Sequence, residues 1–110
     1  MSYYEEKDLA RFKNVGRFKP DLWKKFLDYY NAATGEEGAL TKREKALIAL
    51  AISHFKQCPY CIDAYTTDSL EKGATEKGMM EAIHVAAAIR GGASLVHGVM
   101  MMNKAKKLSM

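Results

Sequence analysis

The stretch Thr41-Lys-Arg-Glu-Lys-Ala-Leu-Ile-Ala-Leu-Ala-Ile-Ser-His-Phe-Lys-Gln-Cys-Pro-Tyr-Cys61 contains the strongest signals for both the fold and the chemistry of this chain. Thr41 with Glu44 three residues later is a capping box, which marks the start of a helix. Apolar residues between Leu47 and Phe55 recur at helical spacing and give that helix one apolar stripe. Pro59 fits the first position of a following helix, where its missing N–H costs nothing. Two helices that meet at the cysteines are therefore predicted.

The sequence on either side of this stretch also predicts helices. Gly73 fits a left-handed residue after a helix end. Arg90-Gly91-Gly92 is predicted to end another helix, because paired glycines usually make a turn. No stretch alternates apolar and polar residues for long, so strands are not expected. The prediction is an all-α, compact bundle of about five to six helices, which begin near Tyr4, Pro20, Thr41, Pro59, Thr75 and Ser94.

Length and composition limit the class of protein. The chain has 110 residues, 48% of them hydrophobic and 27% charged, which predicts one globular domain over 1–110. Within it we expect an N-terminal helical extension over about 1–38 and a core over about 39–107. A net charge of +4 is too small to indicate nucleic-acid binding. The longest wholly apolar run, Ala46–Ile52, is far below the roughly 20 residues of a membrane span, and no signal pattern is evident. A cytosolic location, away from membranes, is therefore expected.

Cys58 and Cys61 are the two cysteines of the chain, and they form a Cys-Pro-Tyr-Cys motif. A helix N-terminus favours negative charge, so a thiol there has a lowered pKa and more thiolate. A second thiol three residues away can resolve whatever forms on the first. Structural zinc usually requires two such pairs, and covalent haem requires His where Ile62 stands. The motif therefore predicts redox chemistry without a metal or another cofactor.

Other polar residues have two interpretations each. His54 lies one helical turn before Cys58 and is a candidate base, or else a hydrogen-bonded core histidine. Core or interface positions are favoured for His84 and His97, and capping is favoured for Glu44. Arg90-Gly91-Gly92 before a helix could hold an anion, although a simple turn is favoured.

The stretch from Leu40 to Tyr65, together with the stretches 70–75 and 81–98, resembles the carboxymuconolactone decarboxylase superfamily, and more closely its alkylhydroperoxidase D-like branch. The similarity covers roughly residues 39–103. The resemblance implies an all-helical fold that assembles as trimers or hexamers, with a dithiol active site that reduces hydroperoxides. It also implies that Cys61 attacks the peroxide and that Cys58 resolves it. Parts of the sequence further resemble peroxidase-like proteins associated with arsenosugar biosynthesis.

Two positions depart from the family pattern. Ala46 stands where the family has a proton-relay Glu, and Tyr65 stands where it has a His four residues after the second cysteine. Tyrosine is a poor base at neutral pH, so His54 is the substitute base within reach along the sequence. Tyr65 can still donate a hydrogen bond and orient the leaving oxygen.

Three functions follow. The leading one is a thiol peroxidase with Cys61, Cys58, His54 and Tyr65 as site residues, a hydroperoxide substrate and an unidentified thiol reductant. The second is an accessory protein whose dithiol binds a metalloid such as arsenic, or a partner thiol. The third is a lactone decarboxylase-like enzyme that would not need the cysteines. Assembly as a homo-oligomer is expected, with at least one methionine of the run 100–102 facing another subunit.

Overall fold

The computed structural model describes residues 5–109 of the chain. Over these residues it contains helices and no strand, which confirms the predicted fold class. A 3-10 helix over Glu6–Phe18 precedes five α-helices: α1 (Pro20–Gly35), α2 (Lys42–Lys56), α3 (Pro59–Glu71), α4 (Glu76–Val96) and α5 (Gly98–Ser109).

Four of the predicted helix starts, near Pro20, Thr41, Pro59 and Thr75, are confirmed. The Glu44 backbone N–H donates to the Thr41 hydroxyl at 3.0 Å, and the Thr41 N–H donates to the Glu44 carboxylate at 2.8 Å. Pro20 and Pro59 lie in the first turns of α1 and α3. The Thr75 hydroxyl likewise accepts a hydrogen bond at the start of α4. These local contacts explain why each of these helices begins where it does.

Helix ends depart from the prediction at two places. Gly91 and Gly92 do not end α4, which continues to Val96, and α5 begins at Gly98 rather than near Ser94. Neither glycine has a positive φ, and the neighbouring alanines favour the helix enough to offset about 1 kcal/mol per glycine. The first helix, predicted from Tyr4 to Lys13, extends to Phe18 instead, and its predicted start lies outside the described residues.

The core is small and lies where α2 packs against α3 and α4. Leu50 is fully buried and clusters with Ala74 and Met79, and the side chains of Leu47 and Tyr65 pack against this cluster. This packing fixes the angle between α2 and α3, and so the position of the cysteine motif between them.

Outside this core the chain is more extended than the predicted compact bundle. Its radius of gyration is 18.8 Å, whereas a compact domain of this length has about 13 Å. Among the described elements, α5 contacts α4 alone. Large apolar side chains along α4 and α5 are exposed as a result, including Ile89, Val96 and Met100–Met102.

One segment satisfies a length and composition test for crossing a membrane, contrary to the expectation from uninterrupted apolar runs. Glu76–Ser109 contains a window with a mean hydropathy of 1.3. The window passes because it is apolar on average and holds at most two charged residues. Arg90 lies within this apolar part, where a charged side chain would be costly in lipid. Length and composition are therefore weak evidence that this segment crosses a membrane.

Candidate active site at the Cys58–Cys61 pair

The cysteine motif occupies a sharp turn between two packed helices. α2 ends at Lys56, and Gln57 takes a left-handed backbone conformation with φ 54°. The Cys58 N–H then donates to the Ser53 carbonyl at 3.0 Å, which closes the turn. Cys58 is the N-cap residue of α3 and Pro59 follows it in the first turn, as the sequence predicts.

The two thiols lie in direct contact. Both cysteines are free and half-buried, and Cys58 Sγ lies within hydrogen-bond distance of Cys61 Sγ, at 3.0 Å. The Cys61 backbone N–H also donates to Cys58 Sγ, at 3.4 Å. Cys58 Sγ therefore accepts a backbone hydrogen bond at the positive end of a helix and contacts a second thiol.

This arrangement separates the acidities of the two thiols. Hydrogen bonds from the Cys61 thiol and the Cys61 backbone N–H lower the pKa of Cys58, and the Tyr60 N–H and the Lys56 charge add to the effect. Burial, the hydrogen bond to Cys58 and its negative charge raise the pKa of Cys61 to about 11. The pair therefore favours a thiolate at Cys58 and a protonated thiol at Cys61.

Two residues that the sequence did not single out belong to this site. The positive charge of Lys56 favours the thiolate form of both cysteines. Burial, followed by the negative charges of Cys61 and Asp68, raises the pKa of the Tyr30 phenol. Lys56, two residues before Cys58, could have been noticed in the sequence. Tyr30 could not, because α1 reaches the site only through tertiary packing.

His54 and Tyr65, the other predicted site residues, have different surroundings. His54 Nδ1 lies 2.9 Å from the Leu50 carbonyl oxygen, one turn back along α2. The Tyr65 ring packs against the core cluster at Leu50 and Met79. No contact described for residues 5–109 joins either side chain to a cysteine sulfur. Their assignment as site residues remains a prediction.

Glu44 and Ala46 bear on the family's proton relay. The Glu44 carboxylate accepts the Thr41 backbone N–H, which lowers its pKa. Ala46, where the sequence resemblance implies a relay Glu, is 2% exposed and contributes only a methyl group to the interior. The capping role of Glu44 is confirmed, and a relay along the family pattern would need another proton donor. Within residues 5–109, no three His, Cys, Asp or Glu side chains are grouped as metal ligands.

Comparison with known proteins places this architecture in a family. The model of the carboxymuconolactone decarboxylase family matches residues 20–103, starting in α1, earlier than the 39–103 region on which the sequence resemblance depends. A Legionella pneumophila protein of that family has a TM-score of 0.70 and 30% identity, over 96% of this chain and 94% of its own. A Methanobacterium thermoautotrophicum protein has a TM-score of 0.76 and 32% identity, over 82% of this chain and 97% of its own.

A curated relative from Paracoccus denitrificans, described as uncharacterized protein 4 in the cox locus, is 49% identical over 61 residues. Those residues are 56% of this chain and 55% of the relative, so the chain spans about half the length of that relative. The fold and the site define an all-helical protein with a pair of thiols at the junction of two helices. The chain belongs to the carboxymuconolactone decarboxylase family.

Proposed function

We propose that this protein is a dithiol peroxidase of the alkylhydroperoxidase D-like branch of its family, acting in the reducing cytosol on hydroperoxides. The observation that supports this most directly is the 3.0 Å contact between Cys58 Sγ and Cys61 Sγ at the start of α3. A thiolate is the nucleophile in such chemistry, and a neighbouring thiol completes it.

The proposed reaction starts at Cys58. Its thiolate attacks the terminal oxygen of the hydroperoxide, the O–O bond breaks, and Cys58 becomes a sulfenic acid. The released alkoxide takes up a proton and leaves as the alcohol. We assign the Tyr30 phenol as the donor, because it is protonated at neutral pH and the charge of Cys61 acts on it. Cys61 then attacks the Cys58 sulfur, and the disulfide forms with loss of water. A thiol reductant supplies two electrons and two protons to restore the pair.

This order of attack differs from the order that the family resemblance implies, in which Cys61 attacks. The lowered pKa of Cys58 and the raised pKa of Cys61 support Cys58 as the attacking thiol. Position agrees with this, because Cys58 is the N-cap residue and accepts hydrogen bonds that stabilise negative charge.

Single-turnover experiments with cysteine variants test both the activity and the order. One equivalent of cumene hydroperoxide is added to the reduced protein, and free thiols are counted against time. We expect rapid loss of both thiols in the wild type, a trapped sulfenic acid on Cys58 in Cys61→Ser, and no reaction in Cys58→Ser. A sulfenic acid on Cys61 in Cys58→Ser would reverse the order. Oxidation no faster than that of a model dithiol would reject the peroxidase.

We also propose that copies of this chain assemble through the exposed apolar face of α4 and α5. The chain exposes 8926 Å², against about 6100 Å² for a folded monomer of its mass. The excess, about 2800 Å², is of the size that obligate interfaces bury. Val85, Ile89 and Val96 recur on one side of α4 and are each more than 60% exposed. Such a face also accounts for the apolar composition of Glu76–Ser109.

Sedimentation of Ile89→Glu tests the assembly, since a buried charge would separate the subunits. Tyr29→Glu is the matched control, because Tyr29 is also exposed but lies on α1. Trimers or hexamers in the wild type and in Tyr29→Glu, but monomers in Ile89→Glu, are the expected result. A monomeric wild type would contradict the proposal.

The close thiols also favour a second candidate function, related to the arsenosugar-associated subgroup. Two sulfurs 3.0 Å apart, with no described contact to a general base, suit a soft trivalent arsenic centre. Arsenous acid would exchange two hydroxyl groups for the two cysteine sulfurs, and these hydroxyls would leave as two waters with the two thiol protons. Arsenite binding that Cys58→Ser abolishes, in a protein inert to hydroperoxides, would favour this function over the peroxidase.

A further inference from the structure

An open groove lies where the C-terminal end of α2 meets the last turns of α4. Its volume is about 480 Å³, within the range of small-molecule sites. The lining residues come from both helices: Phe55, Lys56, Arg90, Ala93, Ser94 and His97. The residues from α4 recur at helical spacing along one side, away from the side that carries Ile89 and Val96.

Arg90 is held in place in this groove. One guanidinium nitrogen donates to the Phe55 carbonyl, and the guanidinium carbon lies 5.4 Å from the centre of the Phe55 ring. A guanidinium carries five N–H donors in a rigid plane, so a single hydrogen bond to α2 leaves donor capacity for a ligand. A side chain already fixed by such contacts loses less entropy when it binds.

The chemistry of the lining favours an organic anion. Lys56 and Arg90 contribute two positive charges, and the groove has no acidic lining residue. The Phe55 ring and Ala93 contribute apolar surface. Arginine binds carboxylates through two parallel hydrogen bonds, so a carboxylate on a compact apolar body matches both halves of the groove.

The groove adjoins the cysteine pair through Lys56. Lys56 lines the groove, and only Gln57 separates it from Cys58 in the chain. Its charge also acts on both thiols, so its ammonium group lies within electrostatic reach of each sulfur. A ligand held at Arg90 would therefore share the groove with Lys56, two residues before Cys58 in the chain.

We infer that the groove formed by Phe55, Lys56 and Arg90 binds the carboxylate of a compact apolar acid. The substrates of the pair would then be carboxylate-bearing hydroperoxides, a step that rests on the peroxidase function proposed above. The groove itself does not depend on that function, and the two parts are tested separately.

The first experiment measures binding without chemistry. Benzoate and its neutral analogue benzamide are titrated into the reduced, isotope-labelled protein, and backbone amide shifts are followed by NMR. We expect shifts for benzoate at the end of α2 and along α4, and none for benzamide. Arg90→Gln should weaken benzoate binding by about tenfold or more, as expected for a lost charge-assisted pair.

Arg17→Gln is the matched control for that variant. Arg17 also lies over an aromatic ring, that of Phe18 at 5.8 Å, and the substitution removes the same charge far along the chain. It should bind benzoate as the wild type does. If the wild type does not bind benzoate, or if Arg90→Gln binds it equally well, the proposal that this groove binds a carboxylate is overturned.

The second experiment compares cumene hydroperoxide with its para-carboxylate derivative in the thiol-oxidation assay. The wild type and Arg17→Gln should react about tenfold faster with the carboxylate than with cumene hydroperoxide, and Arg90→Gln should lose that preference. Equal rates in the wild type would overturn the substrate assignment. If neither compound oxidises the thiols while benzoate binding still depends on Arg90, the peroxidase is rejected and the groove stands.

Discussion

Cys58 Sγ and Cys61 Sγ lie in hydrogen-bond contact across 3.0 Å, so the acidity of each cysteine depends on the other. This contact is the largest cause of the lowered pKa of Cys58, whereas burial is the largest cause of the raised pKa of Cys61. The contact therefore favours loss of the proton from Cys58 before Cys61.

Alkylation by iodoacetamide across pH measures this difference directly. Mass spectrometry of the peptides should show Cys58 reacting at a pH below the ordinary thiol value of about 8.5, and Cys61 only near pH 11. Cys61→Ala removes the thiol donor, so the Cys58 profile should move to higher pH. An unchanged Cys58 profile in Cys61→Ala would show that the contact does not set its acidity.

Lys56 should make a smaller contribution to the acidity of both thiols, and this contribution should depend on salt. Lys56→Gln removes a positive charge that favours both thiolates, so the pKa of each cysteine should rise. Alkylation of Cys58 at pH 7 should slow about twofold, a typical size for one exposed charge. The difference should shrink in 1 M salt, because screening removes it. Lys42→Gln, at the other end of α2, is the control and should not change the rate.

Tyr65 allows packing and catalysis to be separated. Its ring packs against Leu50 and Met79, so Tyr65→Ala should lower the free energy of unfolding by about 2–3 kcal/mol, measured by urea denaturation. Tyr65→Phe keeps the ring and should leave both stability and single-turnover peroxide reduction unchanged. A large rate loss in Tyr65→Phe would instead place its hydroxyl at the leaving oxygen.

The sequence predicted those features of the protein that short stretches of chain determine. Thr41, Glu44 and Pro59 fix helix starts through contacts a few residues apart, and the cysteine pair lies within one turn. These were predictable because the physical causes lie within the same short segments.

Long-range packing accounts for what the sequence did not predict. Tyr30 reaches the site from α1, and Arg90 reaches the Phe55 carbonyl 35 residues away, so neither role follows from local spacing. Local sequence also could not predict that the apolar residues of α4 are exposed. An apolar pattern alone does not distinguish a buried core from a surface that faces another copy. The sequence predicted that α4 ends at Gly91 and Gly92, but the helix tendency of the flanking residues outweighs the turn tendency of this glycine pair.

Two glycine substitutions should therefore change stability in opposite directions. Gly91 lies inside α4 without a positive φ, and a Cβ there would meet no atom within 4 Å. Gly91→Ala should thus raise the free energy of unfolding by up to about 1 kcal/mol. Gly73 follows α3 with φ +88°, a conformation that strains any other residue. Gly73→Ala should therefore lower the free energy of unfolding by about 1 kcal/mol or more. Thermal denaturation at one protein concentration compares both with the wild type. A destabilised Gly91→Ala would mean that α4 turns at this position, as the sequence first suggested, or that another copy packs closely against it.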